Sequence, residues 1–348
     1  MPLVPVNQAQ SAPKVIAPGW LPGGHAQTIW PALRVRHSCP AALAAIRYER
    51  QRWPTPDGDF VDVDWLTLSP RPMQAPLLVL FHGLEGSSRS HYALAFARVA
   101  HDCGLNFAVP HFRGCSGQIN LAPRAYHSGD FEEVGWLLSR LRQHTTRPLW
   151  VVGVSLGGNV LLRWAQEAGS QALQLASAVA SVSAPLDLTA SGQAMGLGFN
   201  RWVYTRMFLR SMKPKALQKL AQHPGLFQVQ DLLKARTLYD FDNVFTAPLH
   251  GFQNTQDYWQ RASALPHLHR LQLPSLLVNA QNDPFVPSAS LPHAHQVSRH
   301  VTLWQPRQGG HVGFAQAPWP GQIQALPQAV VAWLAQQAHF NLKGCPNG

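Results

Sequence analysis

Short apolar runs, each closed by a turn signal and most followed by a helical pattern, constrain this chain more than any other feature. They are Pro76 to His82, Asn106 to Phe112, Pro148 to Val154, Leu175 to Ser183, Pro274 to Ala280 and His300 to Gln305. A run that is apolar throughout, rather than at alternate positions, reads as a strand covered on both faces, the pattern of a parallel sheet. Helical patterns lie between the runs, over His91 to Cys103, Asp130 to His144, Ser155 to Ala168 and Ala325 to Gln337. In the second of these, Asp130 and Glu133 stand at capping-box spacing. The expected fold is therefore α/β, a mostly parallel doubly wound sheet. Upstream, Tyr48 to Trp53 and Phe60 to Leu66 flank a Pro-Asp-Gly turn and predict an antiparallel hairpin at the N-terminal edge of the sheet.

One stretch breaks the alternation. Residues 185–265 carry helical patterning, many aromatics and a run of Lys and Arg, and predict a helical cap inserted between two strands. The expected division is a disordered segment over 1–16, the first part of the α/β core over 17–184, the cap over 185–265, the second part of the core over 266–338 and a tail over 339–348.

Composition enters mainly by exclusion. The chain is 46% hydrophobic and 13% charged, far from a disordered profile. Its net charge of +11 comes from scattered Lys and Arg with no long basic block, so no nucleic-acid partner is expected. Cys39, Cys103, Cys115 and Cys345 form no C-x-x-C pair, so neither a zinc site nor a disulfide framework is expected, and no metal or cofactor. Neither a secretory leader nor an apolar run long enough to span a bilayer is legible, so the expected location is cytoplasmic.

The chemistry is concentrated at Gly153-Val154-Ser155-Leu156-Gly157, a G-x-S-x-G set between a buried strand and a helix. In that context the motif is a nucleophile elbow, a tight turn that lifts the serine Oγ above the sheet. A neutral hydroxyl is a weak nucleophile and needs a base steered by a third group. Asp283, just after the Pro274 to Ala280 run, is the candidate acid, with Asp187 as its rival. His311, in Gly309-Gly310-His311-Val312-Gly313, follows the last run and is the candidate base. Two backbone N–H groups must receive the oxyanion, and the candidates are those of Leu84 and Leu156.

With these residues placed, the chain resembles the YheT-like esterases, a branch of the α/β-hydrolase superfamily. The likeness runs from about Trp20 to Phe314. It includes Gly23-Gly24-His25-Ala26-Gln27-Thr28, the block His111 to Gly117 and Tyr126-His127-Ser128-Gly129. Phe241-Asp242, His250-Gly251-Phe252, Asp257-Tyr258 and Asn279 to Pro284 extend it. The resemblance implies an α/β-hydrolase fold and a cofactor-free carboxylesterase acting on short or medium acyl chains or on a lipid ester. One departure is Gln118, where many members carry an acidic residue, which implies a weaker loop contact. The block at His25 reads as a buried structural anchor.

The residues thus predict a serine hydrolase cleaving carboxylic esters through Ser155, His311 and Asp283. A thioesterase, an amidase or an acyltransferase would use the same three groups. A reading from another class is a lipid or membrane-surface binding protein, since Trp202, Val203, Met207 and Phe208 fall among basic residues between Arg201 and Lys219. The expected partners are a small ester or lipid-like substrate and, transiently, an anionic membrane surface.

Overall fold

In the computed structural model, which describes residues 16–38, 46–67 and 75–342, the apolar runs assemble into one eight-stranded sheet. The chain forms α1 (Gly23–Ser38), then β1 (Tyr48–Pro54) and β2 (Phe60–Leu66). Next come β3 (Leu77–Phe81), α2 (His91–Asp102), β4 (Asn106–Pro110), α3 (Phe131–Gln143), β5 (Leu149–Val154) and α4 (Leu156–Ala168). After β6 (Ala178–Val182), a helical stretch holds α5 (Leu188–Met195), α6 (Arg206–Gln222), α7 (Val229–Lys234) and α8 (Thr255–Ala262). β7 (Ser275–Val278), β8 (Val301–Trp304) and α9 (Ala325–Gln337) complete the fold. The strand order is β1-β2-β4-β3-β5-β6-β7-β8. β2 runs antiparallel to both of its neighbours, and the remaining pairs are parallel.

The two-faced burial inferred from the runs is visible residue by residue. In β3, Leu77, Val79 and Phe81 join one core and Leu78 and Leu80 the other. In β5, Leu149 and Val151 alternate in the same way with Trp150, Val152 and Val154. The first core is covered by α3 and α4 through Val134, Leu137, Val160 and Leu161, the second by α2 and α9 through Phe96, Ala97, Val330 and Leu334. Such an arrangement leaves the carboxyl ends of the strands as the natural crevice for a ligand. The loops after β3, β5, β7 and β8 bring Leu84, Ser155, Asp283 and His311 there.

Several local expectations change. The fourth run yields a strand only over Ala178–Val182, because Ala172–Leu175 completes a helical turn. The capping box at Asp130 does not form: the Asp130 side chain makes no capping bond and instead accepts from Arg124 Nη2 at 2.6 Å, while Glu133 is taken by Arg113. Charge-assisted partners outcompete a neutral backbone N–H for a carboxylate. Cys103 is disulfide-bonded, which corrects the expectation that no cysteine is bridged, whereas Cys115 is free and buried. Of the segment over 1–16 and the tail over 339–348, residues 1–15 and 343–348 lie outside the described residues. Phe340, within that tail, packs its ring 5.6 Å from that of Trp150.

The hairpin is held to the core by charge. Arg113, just past β4, pairs its Nη1 with Asp57 and Asp59 at 2.8 Å each and its Nε with Glu133. The Asp59 carboxylate also accepts from Asn120 Nδ2 and from the backbone of Leu121 and Ala122. Gln118, the position where an acid was expected, accepts from Arg52 Nη2 at 2.7 Å. Replacing Arg113 by Met is expected to cost about 3–5 kcal/mol, because Asp59 and Glu133 remain buried without their cation. Urea unfolding checks this, and an unchanged midpoint would show the network to be dispensable.

Candidate active site

The sharp strand-to-helix turn at Ser155 follows from two close approaches. A Cβ on Gly157 would overlap the carbonyls of Phe81 and His82, and one on Gly153 would strike the Gly157 backbone. With both positions glycine, β5 turns directly into α4, and the residue between them adopts φ 54° and ψ −121°. That residue is Ser155. Its backbone N–H donates to Val182 O at 2.8 Å, which ties the turn to β6. The first-turn amide of Leu156 has no acceptor inside its helix and sits at the positive end of the α4 dipole.

Three side chains from separate loops form a continuous hydrogen-bonded line. Ser155 Oγ lies 3.0 Å from His311 Nε2, and His311 Nδ1 lies 2.9 Å from Asp283 Oδ2. The other oxygen, Asp283 Oδ1, accepts from the backbone N–H of Phe285 at 2.8 Å and of Val286 at 3.3 Å, so the carboxylate has one fixed orientation. The Phe285 ring stacks on His311 with centroids 4.1 Å apart. Asp187, the rival acid, is otherwise engaged: it caps α5 by accepting from Ala190 N–H.

A set of supporting residues went unrecognised in the sequence. Gln27 Oε1 accepts from Asn282 Nδ2 and from Gly309 N–H, both at 2.9 Å, so one amide grips the Asp283 loop and the His311 loop together. Thr28 Oγ1 donates to Gly24 O at 2.7 Å and accepts from His311 N–H at 2.8 Å. Gly310 has φ 62°, and a Cβ there would press on Gln27, so α1 and the His311 loop need this glycine to meet. The Gly23 to Thr28 block is thus an anchor in its Gln27 and Thr28, which are buried. His25 is exposed instead and reaches Tyr204 of the helical insertion, Nδ1 to Oη 3.2 Å. No periodicity marks these roles; the one available signal was a polar Gln-Thr pair inside a helix whose Ala26 and Trp30 pack against a small apolar cluster of Leu21, Ala95, Ala315 and Ile323.

The loop after β3 is fixed by neutral groups. Burial pushes His82 down to about 3, so its imidazole carries no charge. In that form Nδ1–H donates to Gly83 O at 2.8 Å while Nε2 accepts from Phe112 N–H at 3.1 Å. Tyr92 Oη accepts from Gly83 N–H, and Tyr126 Oη accepts from Glu85 N–H. Glu85 has φ 56° and pairs with Lys215 of α6 at 2.8 Å. Leu84 is therefore clamped on both sides, and it faces the same cleft as Ser155 and Leu156.

That cleft measures about 1160 Å³ with the solvent at its mouth. Ser155 and His311 form its floor, and Leu188, Met195, Phe208, Met212, Phe245 and Trp259 of the insertion cover much of the rest. Polar side chains interrupt this wall, among them Glu85, Lys215 and Lys219 and, on the insertion, the carboxyl of Asp242. Asp242 accepts from Thr246 Oγ1 at 2.6 Å and Trp259 Nε1 at 2.9 Å, and burial pushes it up to about 6. Among the described residues no three His, Cys, Asp or Glu side chains converge as a metal site. No described helix is long and apolar enough to cross a membrane.

Sheet order, elbow and crevice together define a hydrolase of the α/β type, and similarity to known proteins agrees. The sequence pattern of the alpha/beta hydrolase fold matches residues 76–318. The YheT protein of Escherichia coli (strain K12), named as a proposed esterase, is 38% identical over 298 residues, 85% of this chain and 86% of that one. Phospholipase ABHD3 of Homo sapiens is 28% identical over 286 residues, 80% of this chain and 69% of that one. The solved structure of Est1E from Butyrivibrio proteoclasticus with ferulic acid superposes with a TM-score of 0.54 at 14% identity, over 84% of this chain and 99% of that one, a likeness of fold. The chain belongs to the α/β-hydrolase family, in the branch that holds YheT.

Two measurements follow from this geometry. Thr28→Val removes the acceptor for His311 N–H and is expected to lower kcat by about 10- to 100-fold, since small displacements of a catalytic group are costly; unchanged kcat would relegate α1 to packing. Asp242 holds its proton more tightly when folded than at its ordinary value of 3.8, so its contribution to stability falls as pH rises from about 3.8 towards about 6. Asp242→Asn should flatten that part of the stability profile and raise Tm by a few degrees at pH 8, read by calorimetry; a lower Tm there would reverse the sign.

Proposed function

We propose that this chain is a serine hydrolase that cleaves carboxylic esters through an acyl-enzyme. The observation that carries the reading is the line from Ser155 Oγ through His311 to Asp283, at 3.0 and 2.9 Å. His311 Nε2 takes the serine proton as Oγ attacks the ester carbonyl, and Asp283 holds the Nδ1–H tautomer and steadies the imidazolium. The N–H groups of Leu84 and Leu156 receive the oxyanion, each donor lowering the barrier by about 3 kcal/mol. His311 then protonates the departing alcohol, and water repeats the cycle on the acyl-enzyme.

Residues 185–265 act as the cap over the core segments 17–184 and 266–338. The apolar wall they supply favours an acyl chain of short to medium length or a lipid-like ester, in keeping with the name of the phospholipase relative. Ser155→Ala is expected to lower kcat on a p-nitrophenyl ester by about 10⁶-fold. A series of acyl lengths measured beside it should give the highest kcat/KM at short or medium chains. A Ser155→Ala protein that keeps most of its turnover would remove the assignment of the nucleophile.

A further inference from the structure

The helical insertion turns one side to the cleft and the other to solvent. Over residues 201–212, Tyr204, Thr205 and Leu209 are buried, and Phe208 and Met212 line the cleft. The opposite side carries Trp202, 70% exposed, with Val203 and Met207, and just upstream Leu197 and Phe199 also stand in solvent. Single exposed apolar side chains are ordinary, but a cluster within 197–207 marks a contact surface.

Charge identifies the partner. No Asp or Glu occurs from Leu188 to Gln230, whereas that stretch holds Arg201, Arg206, Arg210, Lys213, Lys215 and Lys219. Three of these cations are engaged by the protein: Lys213 donates to Leu233 O, Lys215 pairs with Glu85, and Lys219 is buried against the carbonyls of Asn120 and Ala122. Arg206 and Arg210 are exposed and stand four and eight residues past Trp202, on the same helical stripe. A second copy of this chain would bring the same arginines against themselves across a two-fold axis. A sheet of anionic headgroups over an apolar interior matches both halves of the pattern.

We propose that this face docks on an anionic lipid bilayer, with Trp202 and Met207 entering the boundary between headgroups and acyl chains and Arg206 and Arg210 meeting phosphates. The proposal rests on the esterase reading for its purpose: the helix that touches the bilayer also lines the cleft through Phe208 and Met212, so a lipid ester passes to Ser155 without crossing bulk water.

The test is co-sedimentation of the full chain with phosphatidylcholine vesicles, with and without phosphatidylglycerol, at low and high salt. Binding should require phosphatidylglycerol and weaken with salt. Arg206→Gln with Arg210→Gln should weaken it by roughly 30-fold, and Trp202→Ser with Met207→Ser should weaken it as well. Both pairs should leave fluorophosphonate labelling and turnover of a soluble p-nitrophenyl ester unchanged, which shows that the fold is intact. Binding without phosphatidylglycerol dependence, or equal binding by the variants, overturns the proposal. So does a dimer that Trp202→Ser dissociates in a protein that ignores vesicles, since the face then belongs to a second copy. If the wild-type chain resists the fluorophosphonate yet binds vesicles as described, the esterase reading fails while the docking face stands.

Discussion

Ser155 occupies backbone angles that cost an L-residue free energy, and the rest of the site is arranged around keeping it there. Two glycines allow β5 and α4 to approach, the β6 carbonyl of Val182 accepts the serine amide, and buried aliphatic strands on either side leave no room to relax. The result is a hydroxyl lifted to the rim of the sheet at the start of a helix. Its position is set by core packing and by its backbone rather than by its side-chain contacts, so the site inherits the rigidity of the central strands.

The partners of that hydroxyl are less intrinsically fixed. Asp283 and His311 come from loops after β7 and β8, and loops need external support to hold catalytic geometry. Here the support comes from the opposite end of the chain. Gln27 and Thr28 bridge the two loops through a side-chain amide and a hydroxyl, 255 and 283 residues away from Asn282 and His311 respectively. The same helix reaches the insertion through His25 and Tyr204, while Lys215 of the insertion reaches back to Glu85 beside Leu84. The cleft is thus closed by contacts that join its floor, its His311 loop and its roof, and a displacement of one is felt by the others.

Much of this was legible in the chain, and the reasons are physical. Parallel strands announce themselves because burial on both faces leaves unbroken apolar runs, and the elbow does so because only glycine fits two residues to either side of Ser155. The order of Asp283 and His311 along the chain placed them at successive strand ends. What stayed hidden depends on contacts between distant segments. Gln27 and Thr28 have no local pattern that reveals partners so far along the chain. Asp130 and Glu133 looked like a capping box because spacing cannot report that Arg124 and Arg113 arrive from elsewhere. Asp242 resembled any polar residue of a helical segment until Trp259 and Thr246 enclosed it. The strand expected to begin at Leu175 began at Ala178, since local apolar character could not reveal that a helical turn ended there.

The central claim is that Ser155 is activated by His311, and chemical capture of the hydroxyl addresses it most directly. The intact protein would be treated with a fluorophosphonate and digested, and the adduct located by mass spectrometry, alongside a His311→Ala protein. The account predicts a single rapid phosphonyl adduct on Ser155 in the native chain and its near-complete loss without the imidazole. Modification at another residue, or equal labelling of Ser155 in both proteins, would contradict it.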